Sequence, residues 1–156
     1  MAVKVDQTDR KILEILLKDA TTSKAEIARS VGIAASAVFE RIKKLEAAGV
    51  IEGYEARINA AKLGFDMLTY VFVAELKPNQ GVDTAGALAK VSGVEEVHKI
   101  AGEDCFLVKL RTTSAAALSD ILDDEINVIP TVSRVRTTIV LKTIAEKAVL
   151  SGCSFE

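Results

Sequence analysis

The chain has 156 residues, a formal net charge of −2 and 49% apolar residues, so it is no polycation and can form one domain or two small ones. Tryptophan is absent and aromatics make up 4%, so the core must be aliphatic. Two small domains built that way bury surface inefficiently, which points to an extensive subunit interface.

No run of 18 apolar residues occurs, and the N-terminus MAVKVDQTDRK lacks a signal-peptide hydrophobic region. Cys105 and Cys153 show no metal-ligand spacing. A soluble, cytoplasmic protein without a membrane span is expected. Residues 1–50 hold nine Lys/Arg against seven Asp/Glu, and the remainder eleven against fifteen. That asymmetry fits a mildly basic nucleic-acid-binding half and an acidic half with another task.

In chain order, Asp6 is placed to cap a helix from Gln7 to about Lys18, with Ile12, Leu13, Leu16 and Leu17 as its apolar stripe. After a loop at Asp19 to Thr22, Ser23 stands three residues before Glu26, the capping-box spacing. The helix that follows carries Ala25, Ile27, Ala28 and Val31 as its apolar positions and ends at Gly32. A third helix runs from about Ala35 to Ala48, closed by Gly49, with Val38, Ile42 and Leu45 on one stripe. Its other face carries Ser36, Glu40, Lys43, Lys44 and Ala47, flanked by Phe39 and Arg41.

Two short helices joined through a glycine form a helix-turn-helix unit, whose second helix fits a major groove. The same spacing also fits an ordinary helical hairpin with a solvated basic face. Read as a DNA reader, Ser36 and Ala37 at the helix start are placed for base edges. Glu40 shares that exposed face, and Arg41, Lys43 and Lys44 are within reach of phosphates. Arg41 has a second reading, pairing with a nearby carboxylate to brace the bundle. Phe39 either meets thymine methyls or packs against the preceding helix.

Val50 to Ile58 looks extended, and Asn59 to Gly64 forms a loop or short helical turn. The pattern divides the chain into a head at 5–58, a linker at 59–66, a second domain at 67–142 and a tail at 143–156. Met67 to Leu76 reads as a strand apolar on both faces, hence covered on both sides. Pro78 to Gly81 is turn chemistry, and Asp83 to Val91 a short helix with Leu88 and Val91 inward, closed by Ser92-Gly93. Strands are expected at Val94 to Ala101 and Cys105 to Arg111, joined by a tight turn at Gly102-Glu103-Asp104. Ser114 caps a second helix with Leu118, Ile121 and Leu122 inward, and a last strand runs from Val132 to Lys142. This order is the βαββαβ ferredoxin-like unit, an α+β fold with helices on one face of the sheet. The other face needs cover, and the same face of a second copy supplies it in a two-fold dimer.

A winged-type helix-turn-helix bundle followed by a ferredoxin-like domain closely resembles the leucine-responsive regulator/asparagine regulator (Lrp/AsnC) family of prokaryotic transcription factors. The resemblance rests on Asp6 with Asp9-Arg10-Lys11-Ile12-Leu13, Ile27-Ala28, Val31-Gly32-Ile33 and Val38, then Glu40-Arg41-Ile42 and Leu45. It continues through Ala48-Gly49-Val50-Ile51, Gly53-Tyr54, Leu63-Gly64, Gly93-Val94 and Gly102-Glu103, covering roughly residues 5–142. It implies a DNA-binding first domain and a second domain that dimerises and assembles further, commonly to octamers. It also implies a small effector, typically an amino acid, bound where dimers meet, near the turn between the second and third strands. Carried over, the effector site is Gly102, Glu103, Asp104 and Cys105, with Thr137 and Thr138 of the last strand lining it.

Two departures stand out. The family's turn commonly reads glycine, an acidic residue, an aromatic and aspartate, whereas this chain has Asp104 and Cys105 at the last two places. An acidic group there still suits an amino-acid ammonium. Ala34 stands where the family usually places a serine cap for the recognition helix, and losing such a cap costs about 1 kcal/mol.

The expected function is therefore sequence-specific DNA-binding transcriptional regulation under an amino acid or related metabolite, with no other cofactor. Dimer symmetry sets half-sites about 34 Å apart or a multiple of it. The alternative is a ligand-sensing module that controls a partner protein without specific DNA binding. A thiol enzyme using Cys105 and His98 is rejected, because a strand thiol is more often a small buried hydrophobe. No phosphate loop, zinc spacing or carboxylate dyad occurs elsewhere, so neither an enzyme nor a metal site is expected.

Overall fold

A computed structural model describes residues 4–76 and 83–146. The chain divides into two compact units, one reaching Arg57 and taking in the described residues from Ile144, the other spanning Ile58–Thr143. The stretch 59–66 is thus grouped with the second unit, and residues 144–146 with the first, where Arg57 Nη2 donates to the Glu146 carbonyl at 2.6 Å.

The first unit is three helices, α1 (Gln7–Lys18), α2 (Lys24–Val31) and α3 (Ala35–Ala47). They close on a small aliphatic core of Ile12, Ile27, Ala28, Val38 and Ile42, with Ile15, Leu16, Val31, Ile33 and Ile51 packed around it. Three expected apolar positions lie elsewhere. Leu13 and Leu17 are half-buried outside that core, because they sit about 100° or more around α1 from Ile12, where Ile15 is nearer. Ala25 is exposed, about 160° around α2 from Ile27. The capping box also falls in a different place. Ser23 Oγ accepts from the Glu26 amide at 3.2 Å, the hydroxyl half alone, while the reciprocal box closes between Asp6 and Asp9 at the start of α1.

After α3 the chain follows no regular element until a 3-10 turn at Ala60–Leu63, capped by Asn59. Within that stretch the Tyr54 hydroxyl donates to Glu46 Oε1 at 2.8 Å, tying it back to α3.

The second unit runs β1 (Met67–Glu75), α4 (Thr84–Leu88), β2 (Val94–Lys99), β3 (Phe106–Thr112), α5 (Ala115–Ile121) and β4 (Val132–Ile139). The sheet order is β2-β3-β1-β4 and each pairing is antiparallel, the ferredoxin-like arrangement. The turn expected at Pro78 to Gly81 lies outside the described residues. Alternation puts Val71 and Val73 of β1 with Phe106, Val108 and Leu110 of β3 on one face. Leu88, Val91, Leu118, Ile126 and Ile129 pack on them. Ile126 and Ile129 lie outside the core expected from the helical stripe; α5 continues into a π-helical turn at Leu122–Ile126, and Ile129 follows in a turn, its amide donating to the Ile126 carbonyl at 3.2 Å.

β2 and β4 are shorter than the runs expected for them. β4 ends at Ile139 rather than Lys142 because its last partner is Thr69 near the start of β1, with one further bond from the Val140 amide to the Leu68 carbonyl. β2 likewise ends at Lys99 opposite Phe106, leaving Ile100 to Cys105 as the connecting turn. The two faces of β1 are not equally covered: Thr69, Val71 and Val73 are fully buried, whereas on the opposite face Leu68 and Ala74 are buried, Tyr70 and Phe72 half-buried and Leu76 exposed. Among the described residues, α4 and α5 pack on one face of the sheet only.

Gly93, which leads into β2, adopts φ +74 with its α-carbon against the β3 backbone. A Cβ there would sit 2.4 Å from the Arg111 carbonyl oxygen. Gly32, between α2 and α3, has φ +79 but open space around it. Gly32→Ala is expected to cost about 1–2 kcal/mol of backbone strain alone. Gly93→Ala must cost more, because β2 has to move off β3, and chemical denaturation of the two variants measures the difference.

Candidate nucleic-acid interface and effector turn

Burial of Val38, Ile42 and Leu45 fixes which way α3 faces. Ser36, Glu40, Lys43, Lys44 and Ala47 are consequently exposed, and Ala37 is half-buried at the edge of that band. The first turn of α3 has no side-chain cap, since Ala34 offers no acceptor. α2 precedes it through the left-handed Gly32, whose amide donates to the Ala28 carbonyl at 2.9 Å.

Phe39 is 44% exposed and lies under the Lys24 ammonium, 4.5 Å from the ring centroid, so it leans on α2. With Leu16, Ile27, Ile42 and Tyr54 it lines a shallow cleft of about 470 Å³. Arg41, read as a phosphate contact or a brace, donates through Nη1 to Asp6 Oδ2 and Asp9 Oδ1, each at 2.7 Å. Cap chemistry in the sequence placed Asp6 at the start of α1; the part played by Asp9, and the identity of Arg41's partners 32 and 35 residues away, were invisible to it.

In the second unit Gly102 and Glu103 are exposed, Asp104 is buried and Cys105 half-buried. The Cys105 amide donates to the Val73 carbonyl and its own carbonyl accepts from Ile100, both at 2.9 Å, which anchors the turn to β1 and β2. Asp104 is 6% exposed, and its carboxylate accepts from Arg136 Nη2 at 2.9 Å and Arg134 Nη2 at 3.2 Å. Arg136 also stacks on Phe72, its guanidinium carbon 3.9 Å from the ring centroid. Asp104 is therefore already neutralised by β4 and is not a free partner for an ammonium; Glu103 is the exposed carboxylate of the turn.

Thr137 and Thr138 do not share a face. Thr137 pairs with Val71, on the helix side of the sheet, and Thr138 with Tyr70, on the open side with Arg134 and Arg136. Successive strand residues point oppositely, so both cannot line one pocket of the same subunit. His98 is half-exposed and bonded to Glu96 (Nε2 to Oε2, 2.9 Å), not to Cys105. Among the described residues no group of His, Cys, Asp and Glu is placed to hold a metal, and no helix is long and apolar enough to cross a membrane.

Residues 5–52 match the winged helix-turn-helix DNA-binding family, and residues 70–150 the Lrp/AsnC ligand binding domain. The chain belongs to the Lrp/AsnC family. It is 38% identical over 143 residues to the HTH-type transcriptional regulator FL11 of Pyrococcus abyssi, covering 92% of this chain and 93% of the relative. Its fold superposes on Escherichia coli AsnC with a TM-score of 0.85 at 27% identity, covering 94% and 99% of the two chains. It also matches the feast or famine regulatory protein (Rv3291c) of Mycobacterium tuberculosis complexed with L-methionine, at a TM-score of 0.85 and 33% identity, covering 92% and 96%. This Lrp/AsnC member is a helix-turn-helix transcriptional regulator with a ligand-binding domain.

The Arg136 guanidinium, and after it Arg134, hold the Asp104 carboxyl below its usual 3.8, against the opposing effect of burial. A carboxyl lowered in the folded state stabilises above its unfolded value, and that contribution is lost as pH falls through the folded value. Asp104→Asn should therefore lower the thermal midpoint at pH 7 and shrink the stability loss between pH 3.8 and more acid conditions. A midpoint series against pH checks both.

Proposed function

We propose that α3 reads DNA through Ser36 and Ala37 at base edges, with Glu40 on the same face and Lys43 and Lys44 on phosphates. The observation that carries this is the single exposed band on α3, which buried Val38, Ile42 and Leu45 force away from the bundle. A chain of net charge −2 gains little from bulk attraction, so affinity comes from these contacts multiplied across an assembly. The assembly unit is a two-fold dimer in which the sheet face bearing Tyr70, Phe72 and Leu107 is covered by the same face of a second copy, with higher assembly such as an octamer following. Such a protein works in the cytoplasm and acts by binding rather than catalysis.

The effector is an amino acid at the Gly102–Cys105 turn, as the L-methionine complex of the related mycobacterial regulator supports. Glu103 faces its ammonium, and exposed amides of the turn face its carboxylate. Arg134 and Arg136, held by Asp104, fix the turn against β4, so a ligand that shifts the turn biases the sheet edge and with it the assembly.

Lys43→Ala with Lys44→Ala should weaken a selected duplex and an unrelated one alike, and flatten the slope of log affinity on log salt by about 0.9 for each phosphate no longer neutralised. An unchanged slope removes both lysines from the interface. If the wild type retains no duplex selectively at low salt, with or without amino acids, the sensing-module reading replaces this one. Single amino acids added to the protein–DNA mixture test the effector: no change in assembly mass, affinity or thermal midpoint removes it.

A further inference from the structure

Arg41 leaves α3 about 140° around the helix from Ser36, beside the buried stripe, whereas Lys43 lies within about 20° of Ser36. Its side chain is 34% exposed and crosses to the start of α1. There one nitrogen, Nη1, sits between Asp6 Oδ2 and Asp9 Oδ1. Those carboxylates are themselves fixed, since the Asp6 amide donates to Asp9 Oδ2 at 3.1 Å and the Asp9 amide to Asp6 Oδ1 at 2.8 Å. The guanidinium therefore docks on a rigid feature, the N-cap of α1, and not on a mobile surface carboxylate. α3 needs such a tie. Its own first turn lacks a side-chain cap, and that turn carries Ser36 and Ala37.

We propose that Arg41 is a positioning residue for DNA recognition, locking the rotation of α3 against the cap of α1 so that the Ser36–Glu40 face meets the groove in one orientation. This rests on the DNA-binding reading above. One cation between two carboxylates leaves the cluster with a net charge of −1, which has nothing to offer a phosphate. Moving Arg41 onto DNA would strip the cation from Asp9, which is only 6% exposed, and an uncompensated buried charge is costly. The burial of Asp9 also makes it a clean probe, because it presents no surface to a duplex.

The test uses the full chain, a duplex that the wild type selects from a random-sequence pool, and an unrelated duplex as reference. Wild type, Arg41→Gln, Asp9→Asn and the double variant are compared across a salt series, well below each variant's unfolding midpoint. Both single variants should lower the ratio of selected to unrelated affinity by about ten-fold, close to the discrimination of one base pair. Their salt slopes should match the wild type, and the double variant should lose no more than either single one, as for residues acting as a unit. A slope flattened by about 0.9 in Arg41→Gln, with Asp9→Asn fully selective, makes Arg41 a phosphate contact and overturns the proposal. Lowered midpoints with an unchanged affinity ratio make the cluster a stability element only, and overturn it too. Absence of any selected duplex for the wild type removes the DNA-binding reading itself, before the variants are compared.

Discussion

One-sided burial of aliphatic side chains is the constraint on which both halves of this regulator depend. With no tryptophan and few aromatics, each unit closes on isoleucine, leucine and valine, at about 1.5–3 kcal/mol for each side chain fully removed from water. In the first unit that burial turns Val38, Ile42 and Leu45 inward and leaves the opposite side of α3 as a polar face. In the second it turns Val71, Val73, Val108 and Leu110 toward the helices and leaves Tyr70, Phe72 and Leu107 on the far side of the sheet. The surfaces available for binding are the complements of the cores.

Burial alone does not fix orientation closely, because aliphatic contacts are non-directional. The directional elements are two carboxylates, each 6% exposed, each held by arginine from an element distant in sequence. Asp9, with Asp6, holds Arg41 of α3, and Asp104 holds Arg134 and Arg136 of β4. Each couples a candidate site segment to scaffold: α3 to the cap of α1, and the Gly102–Cys105 turn to β4 across β1. A paired buried charge is weak evidence for stability, but breaking the pair is costly, so it penalises alternative geometries. The departures from the family's usual residues fall beside these ties. Ala34 leaves α3 without a cap, and Asp104 stands where an aromatic is usual, filling the turn with an ion cluster.

Much of this protein is determined by its sequence alone. The three helices, the βαββαβ order, the Asp6, Ser23 and Ser114 caps and the inward stripes of α3 and β3 follow from periods of 3.6 and 2 and from cap chemistry, all local properties of the chain. The exposed band of Ser36, Glu40, Lys43 and Lys44 follows from the same period. Tertiary structure decided what local pattern does not contain. Strand ends at Lys99 and Ile139 were set by where a partner ran out, not by where the apolar run stopped. Ile126, at the end of a π-helical turn, and Ile129 in the turn after it entered the core beyond the inward positions read from the helical stripe. Thr137 and Thr138 were separated onto opposite faces by the register with β1. Above all, the partners of Arg41 and Asp104 were chosen by the fold, because a charge pairs with whatever lies within a few ångströms, and folding alone brings together residues about 30 positions apart.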